Sequence, residues 1–285
     1  MFVNGLLALA LSAAPAVPAV SVVPAVSAVS GEPVAGPTAE PTDSADLVSS
    51  NPAMPTENQP EPSFCGEVPL ADKAASVGKV NRGHLRGAVE LQDTSAVRVL
   101  PLRHKARCLN WSTPRMVRAL EHAGATVQQR IPGSPALGVG DLSRARGGSI
   151  VPLSHSHQSG RDADLAFYQL DQHGQPTPAL DLFHFDEHGR ANLDDGSTLQ
   201  FDAPRNWALV RALLEDSSIE VRFVFISEPL RTLLLDEARR EGTPAELLAR
   251  ASALLHQPND APPHDDHLHL RIRCTREERL SGCSD

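Results

Sequence analysis

Two short stretches of the chain concentrate the side chains that bind metals and move protons. Residues 154–164 read SHSHQSGRDAD, which places Asp164 seven positions after His157. Residues 264–269 read HDDHLH. Two imidazoles and one carboxylate form a standard ligand set for catalytic zinc, which keeps a fourth position for a water whose pKa falls to about 7. His157, Asp164 and one of His267 and His269 supply that set. The remaining imidazole, beside the metal, is suited to take the water's proton and hand it to a leaving amine. A lone His-x-His pair is weak evidence, and Asp265 and Asp266 read equally well as a solvated turn after Pro262-Pro263. The weight comes from finding both stretches in one chain.

Such residues work only if rigid elements hold them. Residues 162–168 (DADLAFY) alternate, with Ala163, Leu165 and Phe167 pointing one way and Asp162, Asp164 and Ala166 the other. Residues 267–273 (HLHLRIR) alternate too, with Leu268, Leu270 and Ile272 on the buried face. On such a strand His267 and His269 project from one face, about 6–7 Å apart. Gly160 permits the turn that lets His157 meet Asp164. Residues 219–226 (IEVRFVFI) read as a further strand. Thr113-Pro114 is an N-cap and first-turn proline for a helix carrying Met116, Val117 and Leu120, closed by Gly124. Residues 206–215 form a second helix, and residues 229–241 and 243–256 a helix pair divided by Gly242. Helices and strands intermix without a βαβ rhythm or an internal repeat. The expectation is an α+β domain with a mostly antiparallel central sheet flanked by helices.

Composition bounds what the domain can be. Of 285 residues, 41% are hydrophobic but only 4% aromatic, so the core is built from Leu, Val, Ile and Ala. The net charge of −9 is local: residues 1–72 carry eight acidic side chains and no Lys or Arg, leaving 26 basic against 27 acidic residues from Lys73 onward. A neutral body without a basic stripe gives no reason to expect a nucleic-acid partner and argues against a nuclease. No apolar run is long enough to span a bilayer. Residues 6–14 (LLALALSAA) run into small residues as a signal peptide does, although no basic residue precedes them. We therefore expect an apolar leader over residues 1–30 and an exported protein. A Pro/Ala/Glu-rich linker is expected over residues 31–63 and the folded domain over residues 64–285. The four cysteines (Cys65, Cys108, Cys274, Cys283) show no C-x-x-C spacing, and an even number in an exported chain suggests two disulfides, with three pairings open. His84, His104, His122, His173, His184, His188 and His256 stand singly and read as surface or hydrogen-bonded structural residues.

SHQSGRDADL at 156–165 and HDDHLHLRIRC at 264–274 resemble the penicillin-insensitive murein endopeptidases, within the wider group of lysostaphin-like, D-Ala-D-Ala and hedgehog-type metallopeptidases. The likeness extends over most of residues 76–283 and includes VGDLSRARGG at 139–148 and VFISEPL at 224–230. Carried over by position, it implies His157, Asp164 and His269 as ligands of one catalytic Zn2+, His267 as the catalytic histidine beside it, and His264 as a further active-site histidine. It implies a hedgehog/D-Ala-D-Ala metallopeptidase-like fold and a periplasmic enzyme. Such an enzyme cleaves the D-alanyl–diaminopimelyl cross-link between peptidoglycan stem peptides. The pairing Cys274–Cys283 resembles a family bridge, leaving Cys65–Cys108. Ser154 stands where the family has a histidine three positions before the first ligand, with His155 nearby. An auxiliary ion finds only Asp186 and His188 in the neighbourhood of its family ligands. Alternatives are a D,D-carboxypeptidase or amidase using the same machinery, or a metal- or wall-binding module without catalysis. His267 argues against the last. The sequence does not define an oligomeric state.

Overall fold

The alternating stretches fold as neighbouring strands of one sheet. The structure is a computed structural model that describes residues 73–285 apart from 103 and 260. The leader expected at 1–30, the linker at 31–63, the start of the domain at 64 and Cys65 lie outside the described residues. The sheet consists of Val97–Val99 (β1), Leu137–Val139 (β2), Asp162–Ala166 (β3), Val221–Phe225 (β4), Leu255–His256 (β5) and His267–Ile272 (β6), in the spatial order β5-β4-β6-β3-β2-β1. The central pairings β4–β6, β6–β3 and β3–β2 are antiparallel. The outer pairings, β1–β2 and β4–β5, are parallel. Parallel neighbours need a crossover. Pro114–Arg130 (α1) follows β1 and precedes β2, while Glu228–Arg240 (α3) and Ala245–Leu254 (α4) follow β4 and precede β5. Two helical crossovers thus sit at the sheet's margins in a fold that is α+β overall. Ala203–Glu215 (α2) packs between α1 and α3.

One sheet face is apolar. Ala163 and Leu165 from β3, Leu268, Leu270 and Ile272 from β6, and Val224 from β4 are buried in a single cluster. Met116, Leu120, Trp207, Leu213 and Leu234 of the helices belong to the same cluster. Burying each such side chain is worth roughly 1.5–3 kcal/mol, which is what fixes the strand faces. A one-residue slip in β6 would exchange His267 and His269 for leucines on the other face.

α1 starts as expected, with Thr113 accepting from Met116 N and proline in the first turn. It does not close at Gly124 but runs on to Arg130. A Cβ at Gly124 would lie 2.2 Å from Ala96 O, so this glycine lets the helix pack against the chain entering β1. A four-stranded antiparallel sheet built from Gln169–Leu170, Pro176–Thr177, Arg190–Asn192 and Thr198–Phe201 extends the domain beyond β3. Cys274 and Cys283 are bridged around the short helix Arg276–Leu280 (α5). Cys108 is disulfide-bonded as well. No helix among the described residues is long and apolar enough to cross a membrane.

Candidate metal centre

The register of β3 and β6 assembles the site. His269 stands directly opposite Asp164, Arg271 opposite Asp162, and Phe225 of β4 lies on the far side of His269. Opposed residues on one face hold their Cβ atoms about 4.5–5.5 Å apart. Short side chains therefore suffice to bring His269 Nδ1 to 2.9 Å from Asp164 Oδ1.

His157 arrives from the loop before β3. Its backbone is left-handed, with φ 61°, an uncommon conformation for a residue with a Cβ. The Asp162 carboxylate accepts from His157 N at 2.9 Å and holds it there. Gly160, at φ 68°, makes the expected turn; a Cβ on it would press on Leu85 at 2.9 Å. His157 Nδ1 lies 2.7 Å from Leu142 O. A carbonyl can only accept, so Nδ1 carries the proton and Nε2 faces Asp164 Oδ1 at 3.2 Å. An outer hydrogen bond that fixes the tautomer in this way is usual for metal-binding histidines. Leu142 belongs to the VGDLSRARGG stretch, whose part in the site is thus to supply a carbonyl.

His157, Asp164 and His269 are all buried, and their ligand atoms lie within 4.8 Å of one another. Tetrahedral zinc with bonds of 2.0–2.2 Å would set its ligand atoms about 3.3 Å apart. The separations of 3.2 and 2.9 Å from Asp164 Oδ1 are near that value. Two imidazoles and one carboxylate, buried and convergent, fit such an ion. His267 belongs to a different trio, with His264 and His269. Its Nε2 is 3.3 Å from Asp164 Oδ1, and its Nδ1 is 2.6 Å from Asp266 Oδ1. The His264 ring packs against His267 at 4.9 Å and Phe225 at 5.3 Å. Its backbone carbonyl accepts from Ser227 N at 2.7 Å. Ser227 lies in VFISEPL, so that stretch also anchors the site.

The charges are strongly coupled. Burial would raise the Asp164 carboxyl, but His157 and His267 hold it well below the usual carboxylate range. Burial would lower His157, yet Asp164, with Asp162 and Asp141 behind it, raises that ring to about 9. His267 is likewise raised to about 10, against burial, by Asp164 and Asp266. Burial and the neighbouring His267 and His269 push His264 down to about 4. A cation shared by Asp164 would compete for the charge that sustains the raised values.

The remaining sequence candidates fall elsewhere. His155 is exposed and belongs to no ligand group among the described residues, and neither do Asp186 and His188. The Asp186 carboxylate accepts from His188 N and Arg190 N within its own turn. His104 is buried as a structural residue, 2.7 Å from Asp141 and 3.3 Å from Asp181. The sequence did not single out Asp162, Asp266 or His184. Asp162 shares the Asp164 face, a signal that alternation already carried. His184 reaches Asp265 across the fold at 2.7 Å and has no local signature.

Comparison with known proteins gives one finding: the family model described as penicillin-insensitive murein endopeptidase matches residues 76–285. No curated protein matches the chain.

Proposed function

This chain belongs to the penicillin-insensitive murein endopeptidase family and is a peptidase of the cell wall; from that premise we propose that it is an exported, periplasmic zinc endopeptidase that hydrolyses the D-alanyl–diaminopimelyl cross-link of peptidoglycan. The observation that carries the reading is the buried convergence of His157 Nε2, Asp164 Oδ1 and His269 Nδ1, with a further imidazole, His267, against the same carboxylate oxygen. The three would hold the ion. Once bound, zinc supplies Lewis-acid polarisation of the scissile carbonyl and acidifies water. With an ion competing for Asp164, and Asp266 holding Nδ1–H, His267 would present a lone pair at Nε2, able to accept the proton of the attacking water and return it to the leaving amine. His264, neutral at pH 7 and resting on Phe225, is placed to hydrogen-bond the substrate beside His267. Asp162 fixes the His157 backbone and is itself held by Arg271, so the first ligand cannot swing away.

Digestion of purified cross-linked peptidoglycan, with and without a zinc chelator, tests this reading by mass spectrometry of the muropeptides. Chelator-sensitive conversion of dimeric muropeptides into intact monomers is expected. Loss of a terminal D-alanine alone would indicate a carboxypeptidase, and release of whole stem peptides an amidase. No product from a zinc-loaded protein would indicate a binding module.

A further inference from the structure

We propose that Asp266 is a positioning residue for His267: its carboxylate holds the Nδ1–H of that ring and so keeps Nε2 turned toward the reacting centre. The proposal rests on the reading of His267 as proton acceptor. In the sequence Asp266 belongs to an unremarkable pair of acidic residues after two prolines. In the structure the two carboxylates stay close to each other and to His184, within 4.8 Å, but their short contacts differ. Asp265 Oδ1 meets the exposed His184 Nδ1 at 2.7 Å, while Asp266 Oδ1 lies 2.6 Å from His267 Nδ1.

A hydrogen bond between adjacent residues can be incidental, but here the segment is clamped on both sides. The carbonyl of His264 accepts from Ser227 N at 2.7 Å, and that of Asp265 from Phe185 N at 2.9 Å. Beyond Asp266 the chain enters β6, where His267 pairs with Ala166. Asp266 therefore has little freedom to turn away. Its carboxylate can only accept from the ring, so Nδ1 carries a proton in either protonation state of His267. The lone pair or second proton then sits on Nε2, 3.3 Å from Asp164 Oδ1. Without this bond the ring is free to rotate about its side-chain torsions or to adopt the other tautomer. In that tautomer Nε2 bears a hydrogen and cannot accept one.

The test compares wild type, Asp266→Asn, Asp266→Glu and His267→Ala in the full chain. It reads zinc content, kcat and KM on a cross-linked dimeric muropeptide, and the imidazole resonances of histidine-15N-labelled protein. Wild type should show a protonated Nδ1 for His267. In Asp266→Asn that signature should be lost or shifted, and kcat should fall about ten- to a hundredfold, the usual effect of removing an outer partner of an active-site group. Zinc content and KM should stay as in wild type, and Asp266→Glu should recover part of kcat. A kcat in Asp266→Asn within twofold of wild type, or an unchanged Nδ1 signature, overturns the proposal. So does a loss of zinc, which would place Asp266 among the groups that hold the metal. Full activity in His267→Ala would instead overturn the reading beneath the proposal, and the Nδ1 resonance distinguishes the two failures because it needs no turnover.

Discussion

The two ends of the β3–β6 ladder hold their buried charges in opposite ways. At one end Arg161, with no exposed surface, reaches Asp285 at 2.7 Å, Ser284 O at 2.8 Å, Ser76 Oγ at 3.1 Å and Ile272 O at 3.3 Å. Its guanidinium is satisfied within the protein, and the Cys274–Cys283 bridge pins the segment that brings Asp285 to it. Toward the other end, from the middle pair of the ladder, one carboxylate oxygen of Asp164 faces three imidazole nitrogens at 2.9–3.3 Å. The buried His264 Nδ1 has no hydrogen-bond partner among the described residues, and His269 Nε2 has only Asp162 Oδ1 nearby, at 3.6 Å. Each unpaired buried polar atom costs about 1–3 kcal/mol. Both ends use the same strands and the same register. The closed end has consumed its polar groups to tie the chain together, whereas the open end crowds three imidazole nitrogens onto one carboxylate oxygen, an arrangement that a cation can relieve. Between them the Arg271–Asp162 pair, at 2.5 and 3.2 Å, separates the structural corner from the centre.

The sharpest test of this contrast is to remove a group from each end and ask what is lost. His157→Ala and His269→Ala should abolish both metal binding and activity while leaving the metal-free fold close to wild type, as read by metal content and thermal unfolding in chelator. Asp164→Ala should do the same to the metal. His267→Ala should keep most of the metal and lose turnover. Arg161→Met should show the reverse pattern: a loss of about 3–5 kcal/mol, as for other broken buried ion pairs, with metal affinity unchanged below the unfolding transition. A large loss of stability in the metal-free His157 variant would dissolve the distinction, because it would make the open end structural too.

How far this contrast is legible in the sequence depends on which contacts the strand period controls. Alternation in residues 162–168 and 267–273 is enough to put Asp164, His267 and His269 on one face and Leu165, Leu268 and Leu270 on the other, because the buried cluster leaves no other register. The turn at Gly160 follows from its type. Period alone does not say which strand lies beside which. The opposition of His269 to Asp164 belongs to the β3–β6 register, and at the β1 edge Gly124 lies inside α1 against Ala96 rather than ending the helix. Asp266 was invisible for a different reason. Two adjacent acids in a turn look alike until His184 claims one and His267 the other, and His184 is about 80 positions away. The Arg161–Asp285 pair is equally non-local.

Within the closed end, the disulfide and the ion pair can be ranked. Replacing Cys274 and Cys283 by serine opens a loop with a sequence separation of 9, for which chain entropy predicts a cost of about 2–3 kcal/mol. Thermal unfolding should fall accordingly, with metal content and kcat unchanged at temperatures where the fold persists. A drop in metal affinity in this variant would show that the corner transmits strain along β6 to the centre and that the two ends are not independent.

The smallest effect expected concerns acid. Burial alone would raise the Asp285 carboxyl, but the Cys274 N–H, Arg279 and Arg161 outweigh it and hold it below the usual carboxylate value. A carboxylate depressed in the folded state contributes its full stabilisation above the unfolded pKa, and that contribution fades as pH falls through the folded value. The gap in stability between wild type and Asp285→Asn should thus be widest at neutral pH and shrink below about pH 4, as wild type is protonated toward the neutral side chain that the variant carries at every pH. The effect is modest because Asn keeps an acceptor for Cys274 N–H. The Asp285 side chain is also 17% exposed, and Arg161 retains its bonds to Ser76, Ile272 and Ser284. Denaturant unfolding at pH 7 and pH 3 measures it. A gap that stayed constant between the two would mean that Arg161 is held by the carbonyls and hydroxyl alone, so that the closed end is built from hydrogen bonds rather than from its ion pair.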